Sequence, residues 1–255
     1  MTNAPARQIV TSFGAVASVF ANREIRHLQL AWAGASFAIW SFAIALGVYA
    51  FGVGGAAIVG IAGLIRLLPG ALASPFAGLL GDRHSRRLVL LVSGALGAIV
   101  AASAAIAVAL GAPAAVVFTL AGLFTIAFSA YVPAEGALLP VVARSPQELS
   151  AANVAHSVVD NLGFLAGSIV AGILLAATTP AAVFAAAAVA SAGSAVLLAT
   201  LSPDVRPAYA ADSPGGGVLQ ETARGARALL ADPRLRLVGA GLTPVSYTHL
   251  TLPTN

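Results

Sequence analysis

The chain has neither cysteine nor lysine, and only 9% of its 255 residues are charged. Without cysteine there is no disulfide and no thiolate-ligated metal site, and redox chemistry says nothing about compartment. The charged fraction falls far below the roughly 25% of soluble domains, while 59% of residues are hydrophobic, so a soluble fold of this size is excluded. Catalytic signatures are missing too: there is no phosphate-binding P-loop, no H-E-x-x-H and no G-x-S-x-G. The chain is therefore expected not to be an enzyme and to hold no metal and no cofactor.

What is present is a set of apolar runs flanked by arginine. Six runs are each long enough for the ~20 residues that cross a ~30 Å hydrocarbon core: about Leu28 to Ala50, Ala56 to Leu80, Leu88 to Leu110, Ala114 to Val132, Ser150 to Ala176 and Pro180 to Leu201. The fold class this predicts is an all-α polytopic membrane protein. Segments Phe51 to Gly55, Gly111 to Pro113 and Ala177 to Thr179 carry no charge, whereas the alternate segments carry twelve of the thirteen arginines. Arginine near short loops stays on the cytoplasmic side, so the N-terminus is expected inside. The formal charge of +4 thus reports topology, and no nucleic-acid partner is expected. Arginine without lysine, with abundant alanine and glycine, suggests a GC-rich bacterial genome, and no cleavable signal peptide is read.

The organisation follows: residues 1–27 a cytoplasmic N-terminal segment, 28–201 a six-helix transmembrane bundle, and 202–236 a cytoplasmic linker with an amphipathic helix. Residues 237–244 are expected to begin a seventh helix that is truncated. Residues 245–255, VSYTHLTLPTN, resemble the translated sequence of a transposase adapter used in DNA library preparation. On that reading the natural sequence ends near Thr243 or Pro244, and Tyr247 and His249 carry no function.

The dense charge cluster GLLGDRHSRR, Gly78 to Arg87, reads as a cytoplasmic loop between the second and third helices. It resembles the signature G-x-x-x-D-[RK]-x-G-[RK]-[RK] of the major facilitator superfamily, found in that family at the same place. Gly78, Asp82, Arg83, Arg86 and Arg87 match, while Ser85 replaces the usual glycine and is expected to cost turn flexibility. The resemblance implies a conformational latch made by the aspartate and arginines against the second half of the protein; the alternative is that the arginines only anchor topology. In the fifth helix Gly163, Gly167, Ser168 and Gly172 partly reproduce the antiporter motif G-x-x-x-G-P-x-x-G-G, and their spacing also makes a helix-packing stripe. PAEGALLP, Pro133 to Pro140, with Leu149, Ala152 and Asn153, is similar to the connection between the fourth and fifth helices of bacterial drug and siderophore exporters in this superfamily, as are RLLPGALASPFAGLLGDRHSRR from Arg66 and LQLAWAG. The resemblance implies the six-helix N-terminal half of a twelve-helix major facilitator fold, built from inverted three-helix repeats, whose partner is its missing C-terminal half.

Two ionisable residues fall deep in the hydrocarbon, Arg66 and Asp160, each ten residues into its helix and so roughly 15 Å from a membrane edge. Charge there is expensive and faces the bundle interior. Asn153, His156, Asp160, Gly163 and Gly167 share one face of the fifth helix, and His156 stands one turn from Asp160. These two are the proton-coupling candidates, with Asp160 read as the sole deeply buried acid. The alternative is that Asp160 pairs with Arg66, or with backbone and Asn161, to lock helices together. Arg66, Trp40, Asn153 and Asn161 are the substrate-cavity candidates, whereas Trp32 and Tyr49 read as packing or interfacial residues.

The function expected is that of a multi-pass transporter in a bacterial inner membrane, exporting a small hydrophobic substrate on the proton gradient, with the bilayer as its medium. Uptake or lipid flipping by the same fold, or a non-transporting anchor or sensor, are the alternatives.

Overall fold

In a computed structural model the chain is described at residues 20–202, 227 and 231, with residues 75 and 77–83 described by their backbone alone. Every regular element among the described residues is α-helical. Hydrocarbon supplies no water to unpaired backbone groups, so a spanning segment must satisfy its own N–H and C=O groups. Helix α1 (residues 23–53) and helix α2 (residues 56–83) form one run broken at Gly54 and Gly55. Gly55 lies at φ 68° and ψ −158°, a region essentially reserved for glycine, and its missing Cβ lets the chain reverse there. The helices that follow are α3 (Arg86–Ala109), α4 (Ala114–Ser129), α5 (Tyr131–Val142), α6 (Pro146–Ala177) and α7 (Pro180–Ala199).

Among the described residues five apolar helical runs are long enough to cross a membrane. The first, Arg23–Ser74, has 52 residues, about 78 Å at 1.5 Å each and more than twice a hydrocarbon core, so it holds two crossings. Ala114–Val142 makes one crossing from α4 and α5 together, which gives six among the described residues. The bend at Ala130 has a chemical cause: Pro133 has no N–H for the carbonyl of Ser129, four residues back.

Several boundaries differ from the sequence reading. Helix α2 runs through Gly78 and Asp82 to Arg83, so the charged loop shrinks to His84 and Ser85. Charges end the hydrocarbon span but not the helix, which continues into the headgroup region. Ser85 costs nothing in flexibility. At φ −61° it is the N-cap of α3, and its side chain accepts from the Leu88 N–H at 3.3 Å. PAEGALLP is helical, so the fourth crossing ends at Val142 rather than Val132. Helix α6 starts at Pro146, where Ser145 accepts from Glu148 N–H (3.1 Å) and Glu148 accepts from the Arg144 N–H, a variant of the capping box.

Helix α1 is the centre of the bundle. Its stripe Ile25, Leu28, Ala31, Ala35, Ala38, Phe42 and Ala45 is buried, the spacing of one helical face. Trp32 meets Tyr131, Phe42 meets Phe124 and Tyr49 meets Phe118, so α1 runs antiparallel to the fourth crossing. Against α6 it runs parallel and close: a Cβ on Gly163 would fall 2.7 Å from the Ser36 side chain, and one on Gly167 2.8 Å from the Phe37 carbonyl oxygen. At its start Asn22, 2% exposed, donates to the Val142 carbonyl and to Glu148, each at 3.1 Å, tying α1 to the ends of α5 and α6.

By its contacts the chain divides into units Met1–Ala210 and Ala211–Asn255, and all of these helices belong to the first. In the second, Arg227 and Ala231 are helical and exposed. The expected N-terminal segment up to residue 19, the rest of the linker with its amphipathic helix, the seventh-helix start and residues 245–255 lie outside the described residues.

Candidate functional site

Trp32, Ser36 and Trp40 stand one turn apart on α1, about 6 Å per step, and each meets an ionisable group from another helix. At the first step the Trp32 ring stacks on His156 of α6, with ring centres 5.0 Å apart and planes at 20°, and lies 5.4 Å from the ring of Tyr131. The Nδ1 of His156 is 3.1 Å from Oε1 of Glu135 on α5. Glu135 is 2% exposed and the His156 side chain 29%, so the pair joins a buried carboxyl to a ring at the bundle surface. The second carboxyl oxygen of Glu135 and Nε1 of Trp32 are buried without a partner. Tyr131 is anchored separately, its hydroxyl 3.2 Å from that of Ser194 on α7.

At the second step the Ser36 hydroxyl is within reach of two acceptors on α6: Oδ1 of Asp160 at 2.9 Å and the carbonyl of the same residue at 3.2 Å. At the third, the Arg66 guanidinium of α2 lies 5.4 Å from the centre of the Trp40 ring, which also meets Phe164 edge to face at 4.6 Å. The three steps place a carboxyl and imidazole, a second carboxyl and a guanidinium along about 12 Å of one helix face. Uncompensated charge at membrane depth is expensive, so each group is held against a polar or aromatic partner instead of facing lipid.

This arrangement corrects the sequence reading in three respects. Asp160 is not the sole buried acid, because Glu135 is buried more deeply. His156 takes Glu135 as its partner, not Asp160, although His156 and Asp160 remain one turn apart on α6. Arg66 and Asp160 form no ion pair: one rests on Trp40, the other on Ser36. Glu135 was missed because Pro133 and Pro140 bracket it and suggest a loop. The signal was nevertheless there, since Tyr131, Ala134, Glu135, Leu138 and Leu139 follow helical spacing and all are buried.

Among the other candidates, Asn153 and Asn161 are exposed on α6 beside Val154, Val158 and Leu162, and Asn161 donates to the Ser157 carbonyl at 2.7 Å. Gly163 and Gly167 lie against α1, while a Cβ on Gly172 would meet nothing within 4 Å, so Gly172 is not a close-packing position. Gly78, Asp82 and Arg83 occupy the last turns of α2. Arg86 is half-buried in the first turn of α3. Arg87 donates to the carbonyls of Leu198 (3.1 Å) and Ala199 (2.5 Å). It thereby caps the C-terminus of α7, where a cation is favoured.

Three cavities among the described residues flank α4, one of about 510 Å³ between α2 and α4 at Ile65, Pro69, Phe118 and Gly122. A second, of about 410 Å³, lies between α1, α2 and α4, lined by Phe42, Arg66, Phe124, Thr125 and Phe128 among others; Trp40 adjoins it through Arg66 rather than lining it. The third, about 530 Å³, lies between α2, α3 and α4 and is almost wholly apolar, with His84 at one end.

The family model described as Major Facilitator Superfamily matches residues 28–252. No curated protein and no solved structure matches the chain.

Proposed function

We propose, starting from the fact that the chain belongs to the major facilitator superfamily and is a multi-pass membrane transporter, that it serves proton-coupled export of a small hydrophobic molecule across a bacterial inner membrane. The observation that carries this reading is the 3.1 Å contact between His156 Nδ1 and Glu135 Oε1 within membrane-crossing helices. A carboxyl and an imidazole in contact accept and release protons with little movement, and the partly exposed His156 gives the buried carboxyl a way out. Asp160, one turn further along α6, is the second proton site, and its bond to Ser36 couples its charge state to α1. Protonation changes the cost of holding these groups away from water, so proton entry biases how α1, α5 and α6 pack, as alternating access requires.

Export is supported by the partial likeness of Gly163 to Gly172 to the antiporter motif, and a cytoplasmic N-terminus by the twelve arginines on one side. In this reading Gly78, Asp82, Arg83 and Arg86 form the cytoplasmic latch, while Arg87 holds the end of α7. The proton gradient is the energy source, with no cofactor.

The test is a flux assay in inverted inner-membrane vesicles, with the protein expressed from its genomic reading frame and a hydrophobic dye, in neutral and in anionic form, as cargo. Dye accumulation driven by an imposed proton gradient supports export. Accumulation only in right-side-out vesicles assigns uptake, movement of labelled phospholipid alone assigns flipping, and no gradient-driven movement assigns an anchor or sensor; each of these overturns the reading.

A further inference from the structure

Arg66 carries a charge that its surroundings leave unanswered. Its guanidinium faces the Trp40 ring, and no carboxylate among the described residues pairs with it: Glu135 is held by His156 and Asp160 by Ser36. A guanidinium has five N–H donors and keeps its charge in any protein environment, and a ring face satisfies none of those donors in their plane. Beside it lies the cavity of about 410 Å³, a size that suits a small organic ligand.

The cavity's other polar groups are already committed. Ser74 donates to the Ala71 carbonyl at 2.9 Å, Thr125 to Ala121 at 3.2 Å and Ser129 to Ile126 at 2.7 Å, each within its own helix. Arg66 therefore holds the unspent donors of the cavity, and the rest of the lining is largely apolar, Ile39, Phe42, Leu67, Phe124 and Phe128 among it, with the Phe42 and Phe124 rings stacked on each other at 4.1 Å. An apolar lining favours an apolar body, and one unpaired cation in a low-dielectric site favours a single anionic group.

We propose that this cavity is a subsite for an amphipathic organic anion, an apolar body carrying one carboxylate or sulfonate received by Arg66. The proposal rests on the transport reading and narrows its hydrophobic substrate to an anionic one. A neutral cargo leaves the guanidinium without a counter-charge in this cavity, whereas an anion removes that penalty on binding.

The experiment uses the whole chain in phosphatidylcholine nanodiscs, without any gradient, and two fluorescent probes that share their rings: 8-anilinonaphthalene-1-sulfonate and the uncharged N-phenyl-1-naphthylamine. Binding is read by energy transfer from tryptophan, protein-free discs being subtracted. The sulfonate is expected to bind saturably and about tenfold or more tighter than the neutral probe. Arg66→Gln abolishes that difference by weakening the sulfonate, and Arg66→Lys keeps most of it. Equal affinity of the two probes for the unaltered chain, or a sulfonate affinity that survives Arg66→Gln, overturns the subsite. The comparison on the unaltered chain needs no variant, so a misfolded variant leaves the test standing. Anion binding without proton-driven flux sinks the coupling and keeps the subsite; the reverse sinks the subsite alone.

Discussion

His156 and Glu135, 21 residues apart in sequence, meet at 3.1 Å between α6 and α5, and the carboxyl is 2% exposed. The contact joins two ionisable side chains inside a bundle whose other fully buried side chains, among the described residues, are uncharged. A pair of this kind is costly to break by removing one member, because the other stays behind without its partner.

Glu135→Gln keeps the size and an acceptor for His156 but removes the titratable group. Proton-driven flux is expected to disappear with little change in thermal unfolding, whereas Glu135→Ala loses about 1–3 kcal/mol of stability by leaving His156 unpartnered. Vesicle flux and detergent unfolding curves read the two effects separately. Undiminished flux in the glutamine variant removes Glu135 from the coupling scheme.

Asp160→Asn retains an oxygen that accepts from Ser36, so expression and folding are expected to be intact while proton-driven export is lost. Ser36→Ala, which deletes the donor and leaves the acid, shifts the pH dependence of flux instead of abolishing it. An Asp160→Asn protein that exports at the normal rate excludes Asp160 as a proton site.

Gly167→Val places a branched side chain where even a Cβ falls 2.8 Å from the Phe37 carbonyl oxygen. The backbone cannot yield like a flexible side chain, so α1 and α6 must separate, at a cost of about 1–3 kcal/mol. Gly172→Ala meets nothing within 4 Å and is expected to be neutral or slightly stabilising. Thermal unfolding of the two variants side by side gives the comparison, and equal shifts would contradict the close contact at Gly167.

Gly55→Ala forces a Cβ onto backbone at φ 68° and ψ −158°. The expected loss is about 1–3 kcal/mol, seen as a lower unfolding midpoint, while Gly52→Ala, within α1 and with open space around it, is expected to be harmless. A Gly55→Ala chain as stable as the parent would mean that the reversal between α1 and α2 does not depend on this dihedral.

Residue spacing exposed some of the site and concealed the rest. Arg66 and Asp160 stood out because each is an isolated charge within a long apolar run. Glu135 is equally isolated, yet two prolines hid it, since proline is read as a breaker unless its place in the helix is known. Here Pro133 falls in the first turn of α5, where a lost N–H costs least, while Pro140 lies inside the helix and forgoes the bond its N–H would make to the Gly136 carbonyl. The segment Gly78 to Arg87 misled in the opposite sense: charge marked the membrane edge correctly but suggested a loop where α2 continues.

The sequence by itself determined the membrane class, the six crossings and the positions at which charge enters the hydrocarbon, because these are local properties: run length, composition and the need to satisfy backbone groups within each segment. Only the tertiary structure decided who meets whom. Ser36 finds Asp160 across 124 positions, His156 finds Glu135, and Arg66 is left with Trp40 and a largely apolar cavity. In a bilayer every apolar helix face is equally content with lipid, so hydrophobicity does not set helix rotation. Close approach at small residues such as Gly163 and Gly167 does, and that rotation turns Trp32, Ser36 and Trp40 toward their partners.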